Sequence, residues 1–110
     1  MSDAPFPYDG PENLRQPVIA ALSRVVDPEV ALNIVDIGLV YGVRIEADRF
    51  ELRMTMTSAA CPVADVIEED AVTELERVLP AELEIAVELV WEPAWTPERM
   101  SERARRFMHW

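Results

Sequence analysis

Apolar residues recur at helical spacing once the first dozen residues are past. They are Val18, Ile19, Leu22, Val25 and Val26. Spacings of three and four place such residues along one side of a helix. Proline is tolerated only in the first turn of a helix, so Pro17 favours a start near Gln16 over one near Asn13. The residue before a proline avoids helical geometry, and the helix is therefore predicted to end before Pro28.

Two runs of alternating apolar and polar residues follow and predict a β-hairpin. The first run spans about Gly38 to Ala47, and the second spans about Arg49 to Thr57. One face of the first strand is predicted to carry Leu39, Tyr41, Val43 and Ile45. One face of the second is predicted to carry Phe50, Leu52, Met54 and Met56. A break of one or two polar residues between such runs is typical of antiparallel neighbours.

An amphipathic helix and a third strand complete the pattern. The helix is predicted from about Pro62 to Leu79, where Pro80 stops it. The strand follows at about Leu83 to Leu89. Beyond it, Thr96 begins a capped, arginine-rich segment that predicts a short terminal helix.

The element order α-β-β-α-β-α predicts an α+β fold. We expect a two-layer sandwich in which helices cover mainly one face of a small mixed three-stranded sheet. Residues 1–12 contain three prolines and a glycine without apolar periodicity, and they predict an irregular N-terminal arm. Residues 13–110 are predicted to form a single domain, since 110 residues suit one hydrophobic core.

Charge and composition restrict the classes of partner. The net charge of −11 argues against nucleic acid and anionic membranes, and it suits basic partners. No apolar run approaches the length of a membrane span, and the N-terminus lacks the features of a signal peptide. A cytoplasmic protein is therefore expected, and a single cysteine agrees with a reducing compartment.

Cys61 is the first candidate for chemistry because it lies between the second strand and the second helix. Pro62 suits the first helical position, which would place Cys61 beside the helix N-terminus. The positive end of the helix dipole favours the thiolate, the form that binds metals and attacks electrophiles. The alternative is a small buried side chain that only fills space. Position alone leaves both interpretations open.

Several polar and aromatic residues have two interpretations each. Asp27 and Glu29 flank Pro28; they either punctuate a loop or approach Cys61 as oxygen ligands or steering charges. Thr57 is either an ordinary strand residue or a hydrogen-bond donor to the Cys61 thiolate. Further residues are predicted to be structural: Asp36 as a turn cap, Gly38 as a site of unusual backbone, and Trp91 and Trp95 as packing for the C-terminal segment. His109 is next to the last residue, so a histidine–cysteine dyad is not expected.

Taken together, these stretches resemble one family of small domains. The matching segments are Asp27-Pro28-Glu29, residues 34–40 (IVDIGLV), Thr55-Met56-Thr57, Cys61-Pro62 and residues 91–96 (WEPAWT). Their order and approximate spacing are similar to those of the bacterial SufT and PaaD-like proteins, whose eukaryotic relatives act in cytosolic iron–sulfur assembly. The resemblance covers about Gln16 to Arg105.

The resemblance implies a role in iron–sulfur cluster assembly and a site made of Asp27, Glu29, Thr57 and Cys61. PaaD-like proteins serve a phenylacetyl-CoA oxygenase and carry a cysteine-rich C-terminal extension. This chain ends without one, which favours the SufT-like branch. Because a cluster usually needs about four cysteines, we expect Cys61 to ligate a cluster transiently, with no permanently bound cofactor. A scaffold, a client protein or the second subunit of a homodimer would share the ligation.

Two other classes of function remain as alternatives. One is an enzyme with a cysteine nucleophile, against which stands the lack of a positioned histidine base, a glycine-rich phosphate loop or a paired-carboxylate motif. The other is an interaction adaptor without cluster chemistry, which would dock through the exposed face of the second helix or the tryptophan segment. Substitution of Cys61 separates the adaptor from the assembly factor.

Overall fold

A four-stranded mixed sheet with helices packed on one face is the centre of the fold. The computed structural model describes residues 6–28, 31–56 and 64–108. Its elements are β1 (Tyr8–Asp9), α1 (Glu12–Leu22), β2 (Val26–Asp27), β3 (Leu32–Asn33), α2 (Ile34–Ile37), β4 (Val40–Glu46), β5 (Arg49–Met54), α3 (Ala64–Val78), β6 (Glu84–Leu89), a 3₁₀ turn (Pro97–Arg99) and α4 (Glu102–Met108). The predicted α+β class and the order of its main elements are confirmed.

The main sheet has the strand order β1-β4-β5-β6. β4 and β5 form the predicted antiparallel hairpin, and β6 lies parallel to β5 after the chain has passed through α3. The sheet has four strands where three were predicted, because β1 pairs in parallel with β4. β1 therefore lies inside the segment that was predicted to be irregular. A strand of two residues has no alternation to reveal it in the sequence.

A β-bulge at Tyr41 makes the predicted face of the first strand partly wrong. Val40 is opposite Met54, whereas Gly42 is opposite Arg53, so Tyr41 is the extra residue. The bulge reverses the alternation. Val40 and Val43 are both buried, whereas Tyr41 is only half-buried.

The core lies between the sheet and the two long helices, α1 and α3, which pack against each other. Four predicted inward residues of the second strand are essentially inaccessible: Phe50, Leu52, Met54 and Met56. From α1 and α3 the core receives Val18, Ala21, Leu22, Ile67, Ala71 and Leu75. Val66, although apolar, lies on the outer side of α3, and half of its surface is exposed. On the other face, β5 carries Arg49, Glu51 and Arg53, which alternate in sign.

The start of α1 differs from the prediction, whereas its end lies before Pro28 as predicted. The helix begins at Glu12 and includes Pro17 in its interior, so the later start near Gln16 is wrong. It ends at Leu22, and Val26 enters the short β2 strand. The second helix agrees better, since α3 runs from Ala64 to Val78. Its predicted first two residues lie outside the described part of the chain.

The C-terminal basic segment is divided into two short elements. A 3₁₀ turn over Pro97–Arg99 precedes α4, and the Ser101 hydroxyl accepts a hydrogen bond of 3.1 Å from the Ala104 N–H at the start of α4. Thr96 precedes the 3₁₀ turn but makes no side-chain capping bond. Among the described residues, no helix has the length and apolarity needed to cross a membrane.

Candidate functional site

Three of the four predicted site residues, Glu29, Thr57 and Cys61, lie outside the described residues. Thr57 and Cys61 belong to residues 57–63, which are bounded by described neighbours. Met56, buried after β5, precedes residues 57–63, and α3 begins at Ala64 immediately after them. The predicted location of Cys61 beside the helix N-terminus remains a prediction.

Asp27 is the predicted site residue that the structure describes, and it is buried. Only 2% of its surface is exposed. It is the last residue of β2, which pairs with β3 through Leu32. Its backbone carbonyl accepts a hydrogen bond of 2.8 Å from the Ala31 N–H, and Ala31 has a φ of 61°. The position beside a tight turn agrees with the punctuation interpretation of Asp27.

Backbone hydrogen bonds connect the region of Asp27 with the end of β5. The Ile34 N–H donates to the Val25 carbonyl at 2.9 Å, and the Leu39 N–H donates to the Ile34 carbonyl at 3.0 Å. The Thr55 N–H then donates to the Leu39 carbonyl at 2.8 Å. Asp27 is two residues beyond one end of this path, and Thr57 is two residues beyond the other. The path therefore links Val25 with Thr55 through the region around α2.

Asp36 joins α2 to the C-terminal segment. Its carboxylate accepts hydrogen bonds from the Asn33 amide at 2.8 Å and from the Arg103 guanidinium at 2.7 Å. Its backbone carbonyl accepts from the Ser101 N–H at 2.7 Å. Partial burial raises the pKa of the Asp36 carboxyl, but hydrogen bonds to that carboxyl from the side chains of Asn33, Ser101 and Arg103 outweigh burial and lower the pKa below its ordinary value. The prediction that Asp36 itself caps the turn is wrong: the cap of α2 is Asn33, whose side-chain oxygen accepts a hydrogen bond of 2.9 Å from the Asp36 N–H.

Gly38 follows α2 in a left-handed conformation, with a φ of 88°. The predicted unusual backbone at this glycine is confirmed. A Cβ at Gly38 would also overlap the backbone carbonyl of Arg99. The C-terminal segment therefore lies directly against this turn, and only glycine permits the approach.

Two aromatic residues hold the same segment. The Trp95 indole donates a hydrogen bond of 2.8 Å to the Ile37 carbonyl, and its ring packs against the core. The Tyr41 hydroxyl donates to the Pro93 carbonyl at 2.7 Å, while the Arg99 guanidinium lies 4.3 Å from the centre of the Tyr41 ring. The predicted packing role is confirmed for Trp95. Trp91 differs, because 43% of its surface is exposed.

The sequence contained no sign of the contact between Asp36 and Arg103, because the two residues are 67 positions apart. The contact between Tyr41 and Arg99 could not be predicted for the same reason, because it depends on how the C-terminal segment folds back onto the sheet. Within the ranges that the structure describes, no group of three or more histidine, cysteine or acidic residues is arranged to hold a metal ion.

Comparison with known proteins relates the whole site region to one family. The profile described as "Iron-sulfur cluster assembly protein" matches residues 15–89, a range that contains all four predicted site residues. A Bacillus subtilis relative, the Fe-S protein maturation auxiliary factor YitW, is 40% identical over 86% of this chain and 92% of its own length. The Staphylococcus aureus Fe-S protein maturation auxiliary factor SufT is 37% identical over 74% of this chain and 92% of its own length.

A solved structure is similar to this chain in both fold and sequence. A crystal structure of a domain of unknown function from Bacillus anthracis superposes with a TM-score of 0.81 and is 39% identical in sequence. The similarity covers 89% of this chain and 93% of that one. The resemblance noted from the sequence motifs is thereby confirmed, as is the expected role in iron–sulfur cluster assembly or maturation. The chain belongs to the iron–sulfur cluster assembly protein family.

Proposed function

We propose that this protein is a SufT-like, non-enzymatic factor that delivers iron–sulfur clusters, or helps to mature them, by transient ligation through Cys61. The observation that carries the proposal is the family match over residues 15–89, which includes Cys61 and the elements on both sides of it. The relatives with the names quoted above match over nearly their full length, and those names describe auxiliary factors. They support an assembly factor over an enzyme and the SufT-like branch over the PaaD-like one.

The chemistry of Cys61 follows from its place in the chain. α3 begins three residues after Cys61 and runs for 15 residues. The first N–H groups of a long helix lack partners within the helix and carry its positive dipole end. A thiol close to that end loses its proton more readily, and a thiolate is a soft ligand suited to iron.

The number of cysteines determines how long a cluster stays. One chain has one cysteine, whereas a cluster usually takes about four thiolates. The remaining ligands come from the scaffold that donates the cluster, from the client that receives it, or from a second subunit in a homodimer. The cluster is thus a cargo in transit, and no cofactor is permanently bound. Such work belongs in the cytoplasm, where a reducing environment keeps the thiol free.

Asp27, Glu29 and Thr57 complete the proposed site. The hydrogen-bond path from Val25 to Thr55 supports this grouping, since the segments that lead to Asp27 and Thr57 depart from its two ends. In this arrangement, Asp27 and Glu29 steer iron or a partner, and Thr57 donates a hydrogen bond to the Cys61 thiolate. A distance measured between spin labels at positions 29 and 61 tests the grouping; a separation across the whole domain contradicts it.

The main experiment is anaerobic reconstitution with iron and sulfide, with and without a scaffold protein. Cluster absorbance should depend on Cys61 and should be lost in Cys61→Ser. Val66→Ala is a suitable control, because Val66 is exposed on α3 and close to Cys61 in sequence. Cluster absorbance that is equal in the wild type and Cys61→Ser removes the ligand role.

A second measurement separates the assembly factor from an adaptor. In cells with a high demand for clusters, Cys61→Ser should lower the activity of client iron–sulfur enzymes while leaving the thermal stability of this protein nearly unchanged. Full client activity with Cys61→Ser would favour an adaptor without cluster chemistry. A collapse in stability would instead return Cys61 to the role of a core filler.

A further inference from the structure

The outer edge of β6 has no hydrogen-bonded neighbour among the described residues. β6 is the last strand of the main sheet, and the N–H groups of Glu84 and Val90 donate toward the β5 segment at 2.8 Å each. Because backbone direction alternates along a strand, the outward groups belong to Ile85, Val87 and Leu89. A row of outward N–H and C=O groups is a template on which another strand can pair.

An open groove of about 560 Å³ runs beside this edge, between β6 and α3. Its lining consists of Glu68, Glu69, Val72, Thr73 and Val87. Val72 and Val87 are half-buried and form its apolar part. A strand added to β6 would direct every second side chain into this groove, since side chains alternate between the two faces of a sheet.

Acidic residues surround the groove and occupy the opposite face of β6. Glu68, Glu69 and Glu84 take part in no ion pair among the described residues. Partial burial and the nearby negative charge of Asp65 raise the pKa of Glu68. Glu88 forms a long ion pair with Arg53, with 3.9 Å between the Glu88 carboxylate oxygen and the Arg53 Nε, and both side chains are exposed. A cation brought to this edge would find several carboxylates, of which Glu68, Glu69 and Glu84 make no ion pair among the described residues.

We propose that β6 accepts an extended segment of a partner protein as an added strand, one in which apolar residues alternate with lysine or arginine. The apolar side chains would contact Val72 and Val87 on the helix side of the sheet. The basic side chains would lie on the other face, opposite Glu84 and Glu88, where cross-strand pairs of opposite charge are favourable. Main-chain bonds to Ile85, Val87 and Leu89 would provide the affinity.

Charge also decides against a second copy of this chain as the occupant. Pairing of two β6 edges would bring Glu84 and Glu88 of one copy against the same residues of the other. Like charges directly opposite one another destabilise a strand pair. The net charge of −11 adds a general repulsion between copies, whereas it attracts a basic partner.

The test uses the full chain and a short synthetic peptide in which valine alternates with lysine. Binding is followed by NMR of backbone amides and by amide hydrogen exchange. The peptide should shift and protect the amides of Ile85, Val87 and Leu89. Glutamate in place of lysine, or N-methylation of alternate peptide amides on the pairing side, should remove binding. Glu84→Lys should weaken binding about fivefold, the effect of roughly 1 kcal/mol for one charge pair.

A matched control is available on α3. Asp70→Lys makes the same change in charge as Glu84→Lys, but Asp70 is exposed on α3 and does not line the groove. It should leave peptide affinity within about twofold of the wild type. Equal weakening by the two variants, or binding of the N-methylated peptide, would overturn the added strand. Association of the free chain through β6 would overturn the choice of a basic partner. Cys61→Ser should bind the peptide normally, so the inference stands or fails separately from cluster ligation.

Discussion

The guanidinium of Arg103 lies 2.7 Å from the carboxylate of Asp36 and thereby connects the C-terminal helix to α2. The side chain of Asp36 is 19% exposed, whereas that of Arg103 is 80% exposed. Removing the charge of the more buried partner therefore has the larger effect, because its hydrogen-bond partners lose an ionised acceptor.

We predict that Asp36→Asn lowers the free energy of unfolding by about 1 kcal/mol, measured by urea denaturation. Glu102→Gln is the control, since it breaks the Arg106–Glu102 pair, in which both side chains are more than 70% exposed. That change should cost no more than about 0.5 kcal/mol. Equal losses in the two variants would mean that Asp36 is no more than another surface charge.

The same carboxylate predicts a dependence of stability on pH. The folded pKa of Asp36 lies below its ordinary value of 3.8, so its contribution is complete above that value and is lost as the pH falls through the lower folded pKa. The difference in unfolding free energy between wild type and Asp36→Asn should therefore be constant near neutral pH and shrink below about pH 4. A difference that grows in acid contradicts the assignment.

Gly38→Ala should be strongly destabilising, by about 3 kcal/mol. An alanine there would need a left-handed backbone, and its Cβ would meet the Arg99 carbonyl. Gly42→Ala is the matched control. A Cβ at Gly42 would have ordinary contacts, the nearest with the Pro7 carbonyl at 3.7 Å. The control should change stability by less than about 1 kcal/mol in thermal or urea unfolding.

Adjacent residues on α3 provide a further comparison. Ile67 is fully buried and Val66 is half exposed. Ile67→Ala should cost about 2–5 kcal/mol because it leaves a cavity, whereas Val66→Ala should remain within about 0.5 kcal/mol. Urea denaturation of both variants checks the orientation of the helix. A large loss for Val66→Ala would place its other face against the core.

The parts of the fold that follow from local periodicity were predictable. Strict alternation from Phe50 to Met56 identified β5, and the apolar spacing of Ile67, Ala71 and Leu75 identified α3. The bulge at Tyr41 was not predictable, because the sequence alternates smoothly through it and the interruption depends on pairing with β5. The predicted start of α1 was too late because it relied on the rarity of proline inside helices. Tertiary packing overcomes the cost of Pro17 in the helix interior.

The candidate site divides in a similar way. The role of Gly38 was visible because a turn depends on neighbours a few residues away, whereas the cap was assigned to Asp36 and belongs to Asn33. The attachment of Arg103 to Asp36 required knowledge of long-range contacts that one sequence does not contain. The grouping of Asp27 and Glu29 with Thr57 and Cys61 rests on family resemblance and stays a prediction.

The bulge at Tyr41 has a consequence for how firmly β5 is held along β4. Val40 and Val43 are both buried, although they are three positions apart and would face opposite ways in a regular strand. A slip of β5 by one residue would turn its own apolar side chains out of the core. A slip by two residues would keep the faces of β5 but would separate the Tyr41 hydroxyl from the Pro93 carbonyl that accepts its hydrogen bond. Two independent contacts thus fix the register between β4 and β5. The strand that precedes residues 57–63 therefore has one position along its neighbour in the sheet.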